Sequence, residues 1–169
     1  MKKKNDIRIL LFFIFSYIFT SCSLFYRVDF DESTFEEEYD LWKKNEIKDY
    51  SFICERDIFE GMPFSCKVKV SVINGTGKVE VLENNRMDLV IEEIKSIDDI
   101  YEYIKDLKEK KEYTAKTEKK AYRLSISYDK NYHYPRLIEM YDSTLKQLDL
   151  AMPYSEKLEI TDFTITNTQ

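Results

Sequence analysis

Few residues in this 169-residue chain are equipped for chemistry, and their positions restrict what that chemistry could be. The single histidine, His133, stands in the run Asp129-Lys130-Asn131-Tyr132-His133-Tyr134-Pro135, which reads as a turn. A Ser–His–acid triad would have to use it, and no Gly-x-Ser-x-Gly elbow is present to present the serine. A solvated turn histidine is therefore the plainer reading and a general base the sharper one. Asp98 and Asp99 could work as paired carboxylates, but acids at a helix start explain them better. Asp129, Asp142 and Asp149 could offer oxygen ligands to Ca²⁺, yet no twelve-residue calcium loop surrounds them, so solvated strand ends are preferred. With only three glycines there is no loop to cradle phosphate. No cofactor and no metal site is expected.

Three cysteines remain to be placed: Cys22, Cys54 and Cys66. Cys22 follows a Lys run at residues 2–4, an apolar stretch from Ile9 to Phe15 extended by Tyr17, Ile18 and Phe19, and the small residues Thr20 and Ser21. Basic, apolar, small is the order of a secretory signal peptide, and the apolar part is short for a membrane span, which needs about 20 residues. Phe19-Thr20-Ser21-Cys22 resembles a bacterial lipobox, although Leu is commoner than Phe at its first position. Such a box implies cleavage before the cysteine and lipid on its sulfur, chemistry that needs a thiolate. Two or more acyl chains anchor stably where one does not. An ordinary signal peptide with an incidental thiol is the competing reading. The expected division is a signal peptide at 1–21, a lipidated tether at 22–32 and one domain at 33–169. The expected address is the bacterial cell envelope, membrane-anchored and extracytoplasmic.

Eleven residues separate Cys54 from Cys66, among them the turn signal Gly61-Met62-Pro63. An isolated pair in an exported domain reads as a disulfide, which in the chain-entropy model would stabilise by roughly 3 kcal/mol. Two free buried thiols are the alternative. Metal or redox chemistry fits poorly, with one His and no Cys-x-x-Cys.

Charge narrows the partners. The whole chain carries −6, and loss of Lys2, Lys3, Lys4, Arg8 and Asp6 with the leader brings it to −9. An acidic body argues against nucleic acid and against an electrostatic grip on anionic lipid. Attachment to a membrane is then expected through the lipid at Cys22, with an envelope protein as the other partner this address allows. The 13 Tyr and 11 Phe match either an AT-rich coding bias or an aromatic recognition surface.

The elements that must position these residues follow from periodicity. Ser33 and Glu36 fit a capping box, and Phe35, Tyr39 and Trp42 recur at helical spacing, so a helix is expected over 34–48 with the aromatic stripe in the core. Trp42 is expected beside a stripe formed by Ile97, Ile100, Ile104 and Leu107 in a second helix that begins at Ser96 and ends near Lys111, with a charged loop running on to Lys120. Tyr50 to Asp57 reads as a strand, Lys67 to Val72 alternates strictly, and Asn74-Gly75 turns it back into Val79-Glu80-Val81. Tyr122 to Tyr128 and Arg136 to Tyr141 make a second hairpin, and Leu158, Ile160, Phe163 and Ile165 could add a last strand. The expected fold class is α+β: a mostly antiparallel sheet of five or six strands with two helices on one face.

Trp42, Tyr50-Ser51-Phe52, Cys54, the alternation from Val68 to Val72, Asn74-Gly75, Ser96-Ile97-Asp98-Asp99-Ile100, Tyr128-Asp129 and Tyr134-Pro135 occur in an order that resembles bacterial lipoproteins of the family called domain of unknown function 6174. The resemblance covers most of residues 35–142. Members often carry Gly just before the Tyr-Pro pair, where this chain has His133, and their cysteines tend to be closer together. The resemblance implies an envelope lipoprotein and brings no catalytic residues with it. Two classes of function stay open. One is a non-catalytic binding or structural module, using the exposed sheet face or the loops at 57–65 and 129–135. The other is an envelope hydrolase built from surface carboxylates.

Overall fold

The computed structural model describes residues 26–59, 64–85, 93–143 and 155–166. Its elements run β1 (Val28–Asp29), α1 (Glu32–Lys44), β2 (Tyr50–Ile58), β3 (Phe64–Ile73), β4 (Thr76–Asn84), α2 (Ile97–Glu118), β5 (Tyr122–Tyr128), β6 (Pro135–Asp142) and β7 (Glu156–Ile165). Seven strands form one sheet in the order β1-β5-β6-β7-β2-β3-β4. Every pairing is antiparallel except that of β1 with β5. The class is α+β with two helices, as expected. The strand number exceeds the expected five or six, because the last strand forms and because the segment read as a tether contributes β1.

Both helices pack on one face of the sheet. Side chains alternate along β2 and β3, so Tyr50, Phe52, Cys54 and then Phe64, Cys66, Val68, Val70 and Val72 all point to that face and are buried. The two helices meet through aromatic rings: Tyr101 of α2 stacks on Tyr39 with 4.3 Å between centroids and lies 5.5 Å from Phe35. Trp42 is only 4% exposed, in the core as expected. Its ring partners are on the sheet, Tyr50 at 5.6 Å and Phe163 at 6.2 Å, both edge-on.

Helix α1 starts two residues before its expected position, and its cap is Asp31 and not Ser33. The Asp31 carboxylate accepts from the Thr34 amide at 3.1 Å and from the Thr34 and Ser33 hydroxyls at 2.8 and 2.9 Å. These hydrogen bonds hold the Asp31 carboxyl below its ordinary pKa, led by the one from the Thr34 amide. The helix stops at Lys44, four residues short of the expected end, because Glu46 adopts φ +50°. Helix α2 does begin at Ser96, whose hydroxyl accepts from the Asp99 amide at 3.1 Å, while the Asp99 carboxylate takes the Ser96 hydroxyl and the Lys95 amide. It runs well past Lys111, correcting the expected loop. Lys111 and Ala115 continue the buried stripe, and the Lys111 ammonium rests 4.9 Å from the centre of the Tyr122 ring.

Two glycines are dictated by the hairpin between β3 and β4. Gly75 takes φ +74° beside Asn74 at +50°, the primed turn that matches strand twist. A Cβ on Gly77 would lie 1.8 Å from the Lys95 carbonyl oxygen, so that position admits no side chain. We expect Trp42→Ala to cost about 3–5 kcal/mol in denaturant unfolding, as for a large aromatic removed from a packed core. A loss below about 1 kcal/mol would mean that its neighbours are not packed against it.

Candidate functional site

The structure separates the sequence-derived candidates and engages most of them in the fold. Asp98 is exposed on the first turn of α2, and Asp99 is the capping acid described above, so the pair serves a helix start. Asp129 accepts the amides of Asn131 and Tyr132 at 2.9 and 2.8 Å and so shapes the turn between β5 and β6. Asp142 pairs across the sheet with Tyr122, at the far end of the same hairpin from Asp129. Seven residues at about 3.4 Å each set their backbones about 24 Å apart, too far for the two carboxylates to share a cation. Asp149 lies outside the described residues. Among the described residues no group of three metal-ligating side chains comes together.

His133 is not a freely solvated turn residue. Its Nδ1 lies 2.9 Å from the Glu38 carboxylate on α1, and its carbonyl accepts the Tyr101 hydroxyl of α2. The neighbouring Tyr132 carbonyl accepts the Asn45 side-chain amide at 3.0 Å. The 129–134 turn is thus bound to both helices. His133 sits at φ +65°, a region that favours glycine and costs an L residue about 1–2 kcal/mol. Here the side chain gains the Glu38 contact in exchange. Tyr101, buried beside this turn, and the half-buried Tyr128 have pKa values raised chiefly by desolvation, so neither phenol ionises near neutrality.

Cys54 and Cys66 are both fully buried, and both are free thiols; the expected disulfide is not formed. The register supplies the reason. Cys54 stands opposite Val68, and Cys66 stands opposite Arg56, two pairs further along the ladder. The two are diagonal neighbours at about 7–8 Å, whereas a disulfide brings its α-carbons to about 5.5–6 Å. Burial pushes the Cys54 thiol up to about 12, which keeps it protonated and poorly nucleophilic.

Sequence reasoning missed the most concentrated polar group on the helix-covered face. Arg56 of β2 holds Glu156 of β7 through Nε at 2.8 Å and a terminal guanidinium nitrogen at 2.6 Å, and Tyr103 of α2 donates its hydroxyl to the same carboxylate. The Arg56 guanidinium also lies 5.1 Å from the centre of the Tyr103 ring. Burial first, and then the Glu156 charge, raise the Tyr103 pKa well above its ordinary value. The trio ties one helix to two strands in a part-buried setting, and each donor finds the carboxylate inside the cluster. Glu156 lay 100 residues from Arg56 with no local pattern to join them; the one hint was a charge at an otherwise buried position of an alternating strand. A separate open cleft of about 530 Å³ lies between the C-terminal end of α1 and the β3–β4 turn, with Trp42, Lys43, Glu46, Gly75, Ser96 and Asp98 on its walls.

A family model matches residues 34–145, about two thirds of the chain. The chain belongs to DUF6174, a family of unknown function. No curated protein and no solved structure matches it. The DUF6174 match spans α1 to the end of β6 and stops before β7, which stands in the middle of the sheet.

Two measurements check this account of the site. Both thiols should resist iodoacetamide near neutral pH in the native protein and react fully in denaturant without reductant; failure to react in denaturant would reveal a disulfide. His133→Ala should destabilise more than His133→Gly by about 1 kcal/mol, since glycine relieves the positive φ while both lose the Glu38 contact. Equal midpoints in urea would contradict that backbone reading.

Proposed function

We propose that this DUF6174 protein is a bacterial envelope lipoprotein, anchored by lipid on Cys22, whose folded domain acts as a binding or structural module. The observation that carries the reading is the basic–apolar–small–Cys order ending at Cys22, followed within six residues by a strand of the domain. The Tyr122 amide donates to the Arg27 carbonyl at 2.9 Å, so the chain is tied to the sheet almost as soon as it leaves Cys22. Lipid on that sulfur would hold the domain within a few nanometres of the bilayer.

The engagement of the polar side chains supports a module over the hydrolase alternative. Asp99, Asp129 and Glu156 each spend their oxygens on backbone or side-chain donors that shape the fold. What the domain offers outward is the sheet face turned away from the helices. There Glu55 meets Lys67 at 3.5 Å and Lys157 meets Glu159 at 2.6 Å, with Ile53 of β2 and Leu137 and Tyr141 of β6 half exposed on the same face. Such a mixed face suits a protein partner and offers little to nucleic acid. The 129–135 loop, hydrogen-bonded to both helices, lies at the end of the β5–β6 hairpin, while part of the 57–65 loop lies outside the described residues.

Mass spectrometry of the protein from its own cells tests the anchor. The N-terminal peptide should begin at Cys22 and carry at least two acyl chains, and Cys22→Ala should leave the membrane fraction. An unmodified N-terminus elsewhere, or a Cys22→Ala protein that stays membrane-bound, would overturn the proposal.

A further inference from the structure

Charge is distributed unevenly along α2 and into β5. From Lys110 to Arg123 the chain carries six basic residues, Lys110, Lys111, Lys116, Lys119, Lys120 and Arg123, against Glu112 and Glu118, a local charge of +4. The exported chain as a whole carries −9, so everything outside this segment carries −13. Lys120 is drawn to Glu118 and Arg123 to Asp29, but Lys110, Lys116 and Lys119 are exposed and hold no ion pair among the described residues. Lys110, Tyr113 and Lys116 recur at helical spacing and so share one side of α2. In the middle of that side Tyr113 is 73% exposed, more than any other large hydrophobic residue described. Glu109 is exposed one turn before Tyr113, and Lys110, Lys116 and Lys119 outnumber it; an aromatic ring among lysines suits a bilayer's headgroup region, where rings settle and long ammonium side chains reach the lipid charges.

The same end of the molecule is where the anchor arrives. Arg27 is bonded to Tyr122, four residues past the end of α2, and Tyr26 and Arg27 are exposed. Four residues join Cys22 to Tyr26, at most about 14 Å of extended chain. We infer that the C-terminal half of α2, through Lys110, Tyr113, Lys116 and Lys119 together with Tyr26 and Arg27, is the surface that rests on anionic lipid headgroups beside the anchored Cys22. This rests on the lipoprotein reading and adds an orientation to it. Anionic headgroups attract the basic end and repel the acidic remainder, so the edge formed by β1 and β5 lies toward the bilayer. The β4 edge, at the other end of the sheet, points away from it. The net charge, which disfavours a lipid grip by the whole domain, conceals this segregation.

The test is amine labelling with a membrane-impermeant reagent, using the full lipidated protein reconstituted into vesicles of phosphatidylcholine alone or of phosphatidylcholine with phosphatidylglycerol. Lys69 and Lys78, both exposed on β3 and β4, serve as internal references. On the anionic vesicles, labelling at Lys110, Lys116 and Lys119 should fall several-fold relative to the references and recover at high salt. The N-terminal peptide from the same digest reports acylation. Acylated Cys22 with unchanged labelling ratios on the two vesicles would overturn the orientation alone. Unacylated Cys22 would overturn the anchor reading and the orientation with it.

Discussion

One strand holds the sheet together. β7 pairs with β6 on one side and β2 on the other, and among the described residues no other ladder joins the β2–β3–β4 half to the β1–β5–β6 half. Each half is a local hairpin structure, formed by short connections through Asn74-Gly75 or through the 129–134 turn. Joining them requires a segment from the far end of the chain, whose contacts with β2 span about 100 residues. Such pairing is expensive in loop entropy and is repaid by what β7 buries: Leu158 and Ile160 are fully inside, and Glu156 completes the Arg56–Tyr103 cluster.

The strand also changes phase. Ile53 pairs with Thr161 but Ser51 with Thr164, so Asp162 and Phe163 together stand opposite Phe52, with Asp162 at φ +52°. This bulge moves the inward-facing set from even to odd numbers. Phe163 is thereby turned onto the helix-covered face, where it stacks on Tyr134 at 4.4 Å and on Tyr50 at 5.5 Å and meets the edge of Trp42. The 129–134 turn, α1 and β2 are clamped through that ring. His133, the one candidate imidazole base, belongs to the same clamp from the other side, through Glu38 and Tyr101.

Much of this was legible in local pattern. Strict alternation from Lys67 to Val72, the Asn-Gly turn and the Ser96–Asp99 cap all led to the correct elements, because each is decided by neighbours in sequence. The length of α2 was misjudged because Lys111 reads as solvent while its alkyl stem packs on the core. Asp31 outcompeted Ser33 as a cap by offering two charged oxygens to three donors. The bulge was visible and unread: Leu158 and Ile160 are even, Phe163 and Ile165 odd, a break in period that one continuous strand cannot hold on one face without an extra residue. The disulfide failed for a different reason. Loop length between Cys54 and Cys66 is suitable, but a bond depends on register, and an offset of two pairs along the ladder is invisible in spacing alone. The Arg56–Glu156–Tyr103 cluster depends on three distant segments, and its one local trace was the charge of Arg56 on the inward side of an alternating strand.

If β7 is the piece on which both halves depend, its backbone must be among the last parts of the domain to open. Native-state hydrogen exchange measures this directly. The amides of residues 157–160 should exchange only through global unfolding, with the same free energy and denaturant dependence as the slowest amides of β2. Exchange of β7 through a smaller opening, while β2–β3–β4 and β5–β6 stay protected, would contradict the account and mean that the two halves stand without it.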